Sequence, residues 1–159
     1  MIRKITAADA DFIYGLYMHP EINPYLLYEM MDEKTFAPIF TDLLQQAIIY
    51  VYEAEGLPAG MFKFIQQQHR NAYTAYLGGV AIHPSFAGKG HGIKMLQEVI
   101  ELGRQMNLLR IELSTALANN KAIHLYEKIG FVKEGVLRKY TWLKTEDRFL
   151  DEVMMSYLY

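Results

Sequence analysis

Three glycines at alternate positions, Gly88, Gly90 and Gly92, punctuate the stretch GGVAIHPSFAGKGHGIKMLQEVIEL (Gly78–Leu102). An apolar run ends at Pro84 and an amphipathic run starts directly after the last glycine. The pattern predicts a strand, a loop and a helix N-terminus. First-turn N–H groups of a helix have no intrahelical acceptor. The helix dipole adds roughly half a positive charge at that end. Glycines let backbone N–H groups approach an anion with no Cβ in the way. The chemistry implied is the binding of a phosphate-bearing molecule.

The loop departs from both common nucleotide fingerprints. A P-loop needs Lys followed by Ser or Thr after its last glycine, whereas His91, Gly92 and Ile93 follow Gly90. The dinucleotide pattern needs a glycine where Ile93 stands, although Glu112, about twenty residues on, imitates its ribose-binding acid. No G-x-S-x-G surrounds Ser85 or Ser114. The five histidines lack metal-ligand spacing, so no metal is expected. With no cysteine, disulfides, zinc thiolates and a cysteine nucleophile are excluded.

The elements that must position this loop follow from periodicity and breakers. Ile2–Ile5 reads as a strand, and Thr6 with Asp9 as a capping arrangement before a helix carrying Phe12, Ile13, Leu16 and Tyr17. Residues Pro20–Met31, with two prolines, read as an irregular connection. Phe36, Ile39, Phe40, Leu43 and Leu44 make a second helical stripe, with Thr35 as cap and Pro38 in the first turn. Strands are expected at Ile48–Ala54, Ala59–Gln67 and Tyr73–His83, joined by turns at Glu55–Pro58 and His69–Asn71. The Gly78-Gly79 pair inside the third of these predicts a bulge that splays it from its neighbour. In the helix after the loop, Ile93, Leu96, Val99, Ile100, Gly103 and Met106 share one face, and Lys94, Glu98, Glu101 and Gln105 the other. A parallel-type strand at Leu108–Thr115 follows. Asn119 or Asn120 then caps a helix with Ala122, Leu125, Tyr126 and Ile129 inward, stopped by Gly130. Phe131–Leu137 and Asp151–Tyr159 should pair antiparallel. The order β-α-α-β-β-β-α-β-α-β-β predicts one mixed α/β domain over residues 1–159.

Composition narrows the partners. The chain of 159 residues is 52% hydrophobic with a formal net charge of -2, which suits a globular core and disfavours a polyanion. The basic run Lys133–Lys144 reads as a strand with one solvated face rather than a nucleic-acid track. No apolar leader and no run of ~18 apolar residues is present, so a cytoplasmic protein with no membrane partner is expected. A homodimer built on the final strands or on Tyr159 is compatible with the sequence.

Two segments carry a family resemblance. VAIHPSFAGKGHGI (Val80–Ile93) followed by NNKAIHLYEKIGF (Asn119–Phe131) resembles the paired signature motifs of the GCN5-related N-acetyltransferase (GNAT) superfamily. The element order resembles that fold along essentially the whole chain. Gly135–Tyr140 and Asp151–Met155 resemble its ribosomal-protein and spermidine acetyltransferase-like branches. The resemblance implies a central, mostly antiparallel twisted sheet splayed between strands 4 and 5, with helices on both faces. It implies acetyl-CoA as co-substrate and an amine as acceptor. The CoA pyrophosphate would sit on the N–H groups of Gly88, Lys89, Gly90, His91, Gly92 and Ile93. The pantetheine arm would pair with the edge of Val80, Ala81 and Ile82, and Asn119 would bond it. Ala87 stands where the family usually has Gln or Arg, and Lys89 is the residue that could compensate.

In that reading a neutral amine attacks the thioester directly, and an N–H near Val80–Ile82 stabilises the oxyanion. Tyr126 protonates the departing thiolate, a phenol near ~10 assisting a thiol near ~8.5. Without the resemblance, Tyr126 reads as a core aromatic and Asn119 as a helix cap. The amine's proton needs an acceptor: Glu112 and His83 are candidates and Tyr76 and Glu29 are others, while Glu112 equally reads as a solvent-facing strand residue. Acidic Glu21, Glu29, Asp32 and Glu33 favour a cationic acceptor. The rival reading is a non-catalytic acyl-CoA-binding or sensing module on the same fold. A third is a nucleotide-binding domain.

Overall fold

A computed structural model describes residues 1–159. Seven strands, β1 (Ile2–Lys4), β2 (Ile49–Ala54), β3 (Leu57–Gln66), β4 (Thr74–Ile82), β5 (Arg110–Ala116), β6 (Val132–Leu143) and β7 (Arg148–Leu158), run in the order β1-β2-β3-β4-β5-β7-β6 in a mixed sheet, with four α-helices. The chain divides into two compact units, Met1–Ile65 with Leu77–Glu98, and Gln66–Tyr76 with Val99–Tyr159.

The first unit begins with β1 (Ile2–Lys4), paired antiparallel to β2 (Ile49–Ala54). At the expected cap the Thr6 N–H and hydroxyl both lie within hydrogen-bond distance of the Asp9 carboxylate, at 2.7 and 3.0 Å, and the predicted capping box is formed. Helix α1 (Ala10–Tyr17) ends before Pro20 as predicted, burying Ile13, Leu16 and Tyr17. Asn23 ties the irregular connection by donating to the carbonyls of Tyr17 and Tyr28. The rings of Tyr17, Tyr28 and Phe36 then meet at 5.0–6.1 Å between centroids.

Helix α2 (Glu33–Gln46) corrects the expected start. Its cap is Asp32, whose carboxylate accepts the Thr35 N–H at 2.7 Å, and Pro38 lies inside the helix. A carboxylate caps the helix dipole better than a neutral hydroxyl, and Glu33 adds to the same effect. The hairpin from β2 to β3 (Leu57–Gln66) is also tighter than read. Only Glu55 and Gly56 turn, both at positive φ, while Leu57 and Pro58 already pair with Ala54 and Glu53. Phe36, Phe40, Val51 and Met61 close the core of this unit with the buried face of α1.

Strand β4 (Thr74–Ile82) passes from the second unit into the first. Its parallel pairing with β5 (Arg110–Ala116) spans only Thr74–Tyr76. Gly79 takes φ +57 inside the strand, a conformation few other residues adopt. Helix α3 is His91–Gln105, and α4 is Asn120–Ile129, stopped by Gly130 at φ +111. Ile111, Leu113, Ile123, Phe131 and Met155 are buried in the second unit.

The final hairpin is longer than predicted. β6 spans Val132–Leu143 and β7 Arg148–Leu158, in antiparallel register. Only Leu137, Thr141 and Leu143 of β6 are even half-buried, so that strand is solvated on both faces rather than one. A strand without a buried face shows no alternation by which to bound it.

Candidate active site

The glycine loop is built in the first unit. A 3-10 turn at Pro84–Phe86 leads from β4 to Ala87, and Gly88 and Gly90 then take φ +74 and +79. A side chain at either position would have room, so it is the backbone conformation that requires glycine. Gly90 accepts the first helical bond from Lys94, which fixes the start of α3. None of the N–H groups from Gly88 to Ile93 finds a backbone or side-chain acceptor. No acidic residue occupies the first turn. Such a concavity of N–H groups, aligned with a helix dipole, fits a phosphate. Ala87 and Lys89 are exposed, and the Lys89 ammonium lies 5.8 Å from the centroid of the Phe86 ring.

His91 does more than lend its N–H. Its side chain is buried, and Nδ1 lies 3.1 Å from the Tyr52 hydroxyl. This pins the first turn of α3 to β2 and was not visible in a helical wheel that started at Ile93. His83, a candidate proton acceptor, caps its own turn through one ring nitrogen: Nδ1 accepts the Ser85 N–H at 3.2 Å and meets Ser85 Oγ at 2.7 Å. Val80, Ala81 and Ile82 form the end of β4. Gly60 on β3 makes room for them, since a Cβ there would come within 2.7 Å of the Ala81 carbonyl oxygen and of Ile82 Cδ1.

The second unit holds Glu112, Asn119 and Tyr126. Asn119 rather than Asn120 caps α4: its Oδ1 accepts the Ala122 N–H at 3.3 Å. The Tyr126 ring is buried, 5.8 Å from that of Phe131. Its hydroxyl makes no hydrogen bond within the chain, yet no fully buried side-chain polar atom lacks a partner, so the hydroxyl oxygen keeps some exposure. Burial, with a smaller contribution from Tyr76, raises the phenol well above its usual range. It therefore stays protonated at neutral pH, with a proton and no protein acceptor for it.

Glu112 is heavily engaged. Its Oε2 accepts from Arg110 Nε at 2.9 Å and its Oε1 from Gln67 Nε2 at 3.0 Å. Arg110 also forks onto Glu134 with two bonds of 2.7 Å, and Ser156 donates to the same carboxylate. Tyr76 lies opposite Glu112 on β4. Burial raises its phenol, while a hydrogen bond with Ser114 opposes the shift.

The profile of the acetyltransferase (GNAT) family matches residues 10–131. The chain belongs to that family. The GNAT match contains the glycine loop, Asn119 and Tyr126, and membership makes the chain an acetyl-CoA-dependent N-acetyltransferase. The N-acetyltransferase p20 of Bacillus licheniformis is 27% identical, over 99% of this chain and 91% of its own length. A spermidine N(1)-acetyltransferase of Vibrio cholerae is 29% identical over 86% of this chain and 80% of its own. A crystal structure of spermidine N-acetyltransferase from Vibrio cholerae with CoA and spermine superposes with a TM-score of 0.85. It is 24% identical and covers 99% of this chain and 94% of that one. The GNAT fold expected from the paired motifs is thereby borne out.

Proposed function

We propose that this GNAT chain transfers the acetyl group of acetyl-CoA to a primary amine by direct attack, and that the amine is a cation such as a polyamine or a peptide N-terminus. The observation that carries the reading is the run of unpartnered N–H groups from Gly88 to Ile93, held at positive φ ahead of α3. In this reading Gly88, Lys89, Gly90, His91, Gly92 and Ile93 hold the pyrophosphate. Val80, Ala81 and Ile82 offer β4 backbone groups to the pantetheine amides, and Asn119 bonds the same arm. Tyr126 gives its proton to the departing sulfur. Its unpartnered hydroxyl supports that role. The cationic acceptor is supported by the spermidine-acetylating relative and by the acidic residues Glu21, Glu29, Asp32 and Glu33.

Release of CoA thiol from acetyl-CoA, followed across polyamines, amino acids, aminoglycosides and N-terminal peptides, tests the reading. The protein has no thiol of its own to contribute background. Tyr126→Phe is expected to lower kcat about 100-fold while CoA binding persists. CoA binding with no thiol release on any acceptor would instead favour an acyl-CoA sensor.

A further inference from the structure

One face of the sheet in the second unit carries chemistry that the preceding roles leave unused. Strand register sets Tyr76 opposite Glu112, Glu112 opposite Ser156, Ser114 opposite Met154 and Ala116 opposite Glu152. Side chains alternate along a strand, so Tyr76, Glu112, Ser114 and Glu152 project from the same face. Arg110 neutralises Glu112 and Glu134. Glu152 is in no ion pair. Its Oε2 accepts the Ser114 hydroxyl at 2.6 Å, and its Oε1 accepts the Thr141 hydroxyl at 2.9 Å.

The two kinds of partner matter for a proton. Protonating Glu112 would weaken a charge-assisted bond to Arg110, about twice as strong as a neutral one. Protonating Glu152 disturbs only hydroxyls, which can rotate and accept instead of donate. A Ser114 oxygen whose hydrogen points at Glu152 presents its lone pairs to the next donor. Tyr76 from β4, which bonds Ser114, lies in the field of Glu152 itself, of Glu112 from β5 and of Tyr140 from β6.

We propose that Glu152, acting through Ser114, accepts the proton that the amine nitrogen loses, in the place expected for Glu112. The assignment rests on the acetyl-transfer reading above. As the C–N bond forms and the C–S bond breaks, the nitrogen's proton passes to Ser114 Oγ and Ser114's own proton passes to Glu152 Oε2. Tyr126 supplies the proton that the sulfur gains. Solvent then takes the proton from Glu152 and restores the one on Tyr126, so the chain ends as it began. Ser114 touches the substrate; Glu152 is a relay and positioning residue.

The test compares Glu152→Gln, Glu152→Asp, Ser114→Ala, the Glu152→Gln/Ser114→Ala double variant and Glu112→Gln. Spermidine and an N-terminal alanine peptide serve as acceptors, and CoA titration and thermal unfolding run alongside. Expected is a loss of about 100-fold in kcat for Glu152→Gln. The KM for acetyl-CoA, the CoA affinity and the thermal midpoint should stay near wild type. Ser114→Ala should match it, the double variant should be no worse, and Glu152→Asp should restore part of the rate, because residues acting as one unit are not additive. Glu112→Gln should lose less than Glu152→Gln. A Glu152→Gln variant with wild-type kcat, losses that multiply in the double variant, or a larger loss at Glu112 would each overturn the relay. If wild type binds CoA and releases no thiol with any acceptor, acetyl transfer itself fails and takes the relay with it.

Discussion

Each unit holds one arginine bracketed by two carboxylates, in the same bonding pattern. In the first, Arg3 places its fork on Asp9 at 2.8 and 2.9 Å and its Nε on Glu53 at 2.7 Å. In the second, Arg110 places its fork on Glu134 and its Nε on Glu112. The environments differ: the Asp9 side chain is 5% exposed and that of Glu134 is 38% exposed. The Arg3 fork compensates a charge that water cannot reach. The Arg110 fork spans β5 and β6 near the surface, and its effect is electrostatic: it neutralises two carboxylates and leaves Glu152 as the unneutralised one among those on that face. One motif thus serves folding in one place and the selection of a base in another.

The sharpest way to break the comparison is Arg3→Met. It strands a buried carboxylate, a loss of about 3 kcal/mol by analogy with broken buried pairs. For a chain of this size that lowers Tm by roughly 6–12 °C, measurable by calorimetry. Arg110→Met should cost less, about 1 kcal/mol, because its partners keep much of their hydration. An equal loss in both variants would end the distinction.

Acid sharpens it further. The Arg3 hydrogen bond, then the bonds from Thr6, hold Asp9 below the usual carboxylate range. Arg110 and then Ser156 pull Glu134 down to about 2. A depressed folded-state pKa contributes stability that is present above the unfolded value, near ~4, and is lost as pH falls through the folded one. Urea unfolding between about pH 5 and pH 2 should show that loss in wild type. Arg110→Met should lack the Glu134 part of the slope and keep the Asp9 part. The smallest effect is expected from Glu112→Gln, within about 0.5 kcal/mol in urea unfolding, since Gln can still accept from Arg110.

The glycine loop and the element order were legible in the sequence because both depend on local rules. A left-handed backbone leaves glycines behind, and apolar stripes leave periods. The Asp32 cap was missed because Thr35 satisfies the same residue preference three positions later. The reach of β6 was missed because a strand exposed on both faces carries no alternation. Glu112 was found as a carboxylate on β5, but its company was not. Arg110 and Glu134 are 24 residues apart, and Ser114 and Glu152 are 38 apart, so only strand register brings each pair together. Asn119 and Tyr126 had plausible structural roles, and a cap and a buried ring are what the fold displays; only the unpartnered hydroxyl of Tyr126 says more.

Gly60 deserves a place in any mutational screen of this chain. It lies on β3, yet Ala81 and Ile82 rest against the space its missing side chain leaves. A methyl group there would push the backbone that the pantetheine arm is proposed to read. In a library sorted for acetyl-CoA retention, Gly60→Ala would be enriched among the losers beside substitutions of the loop. A geneticist mapping such alleles would be led to a strand with no ligand-facing side chain at that position.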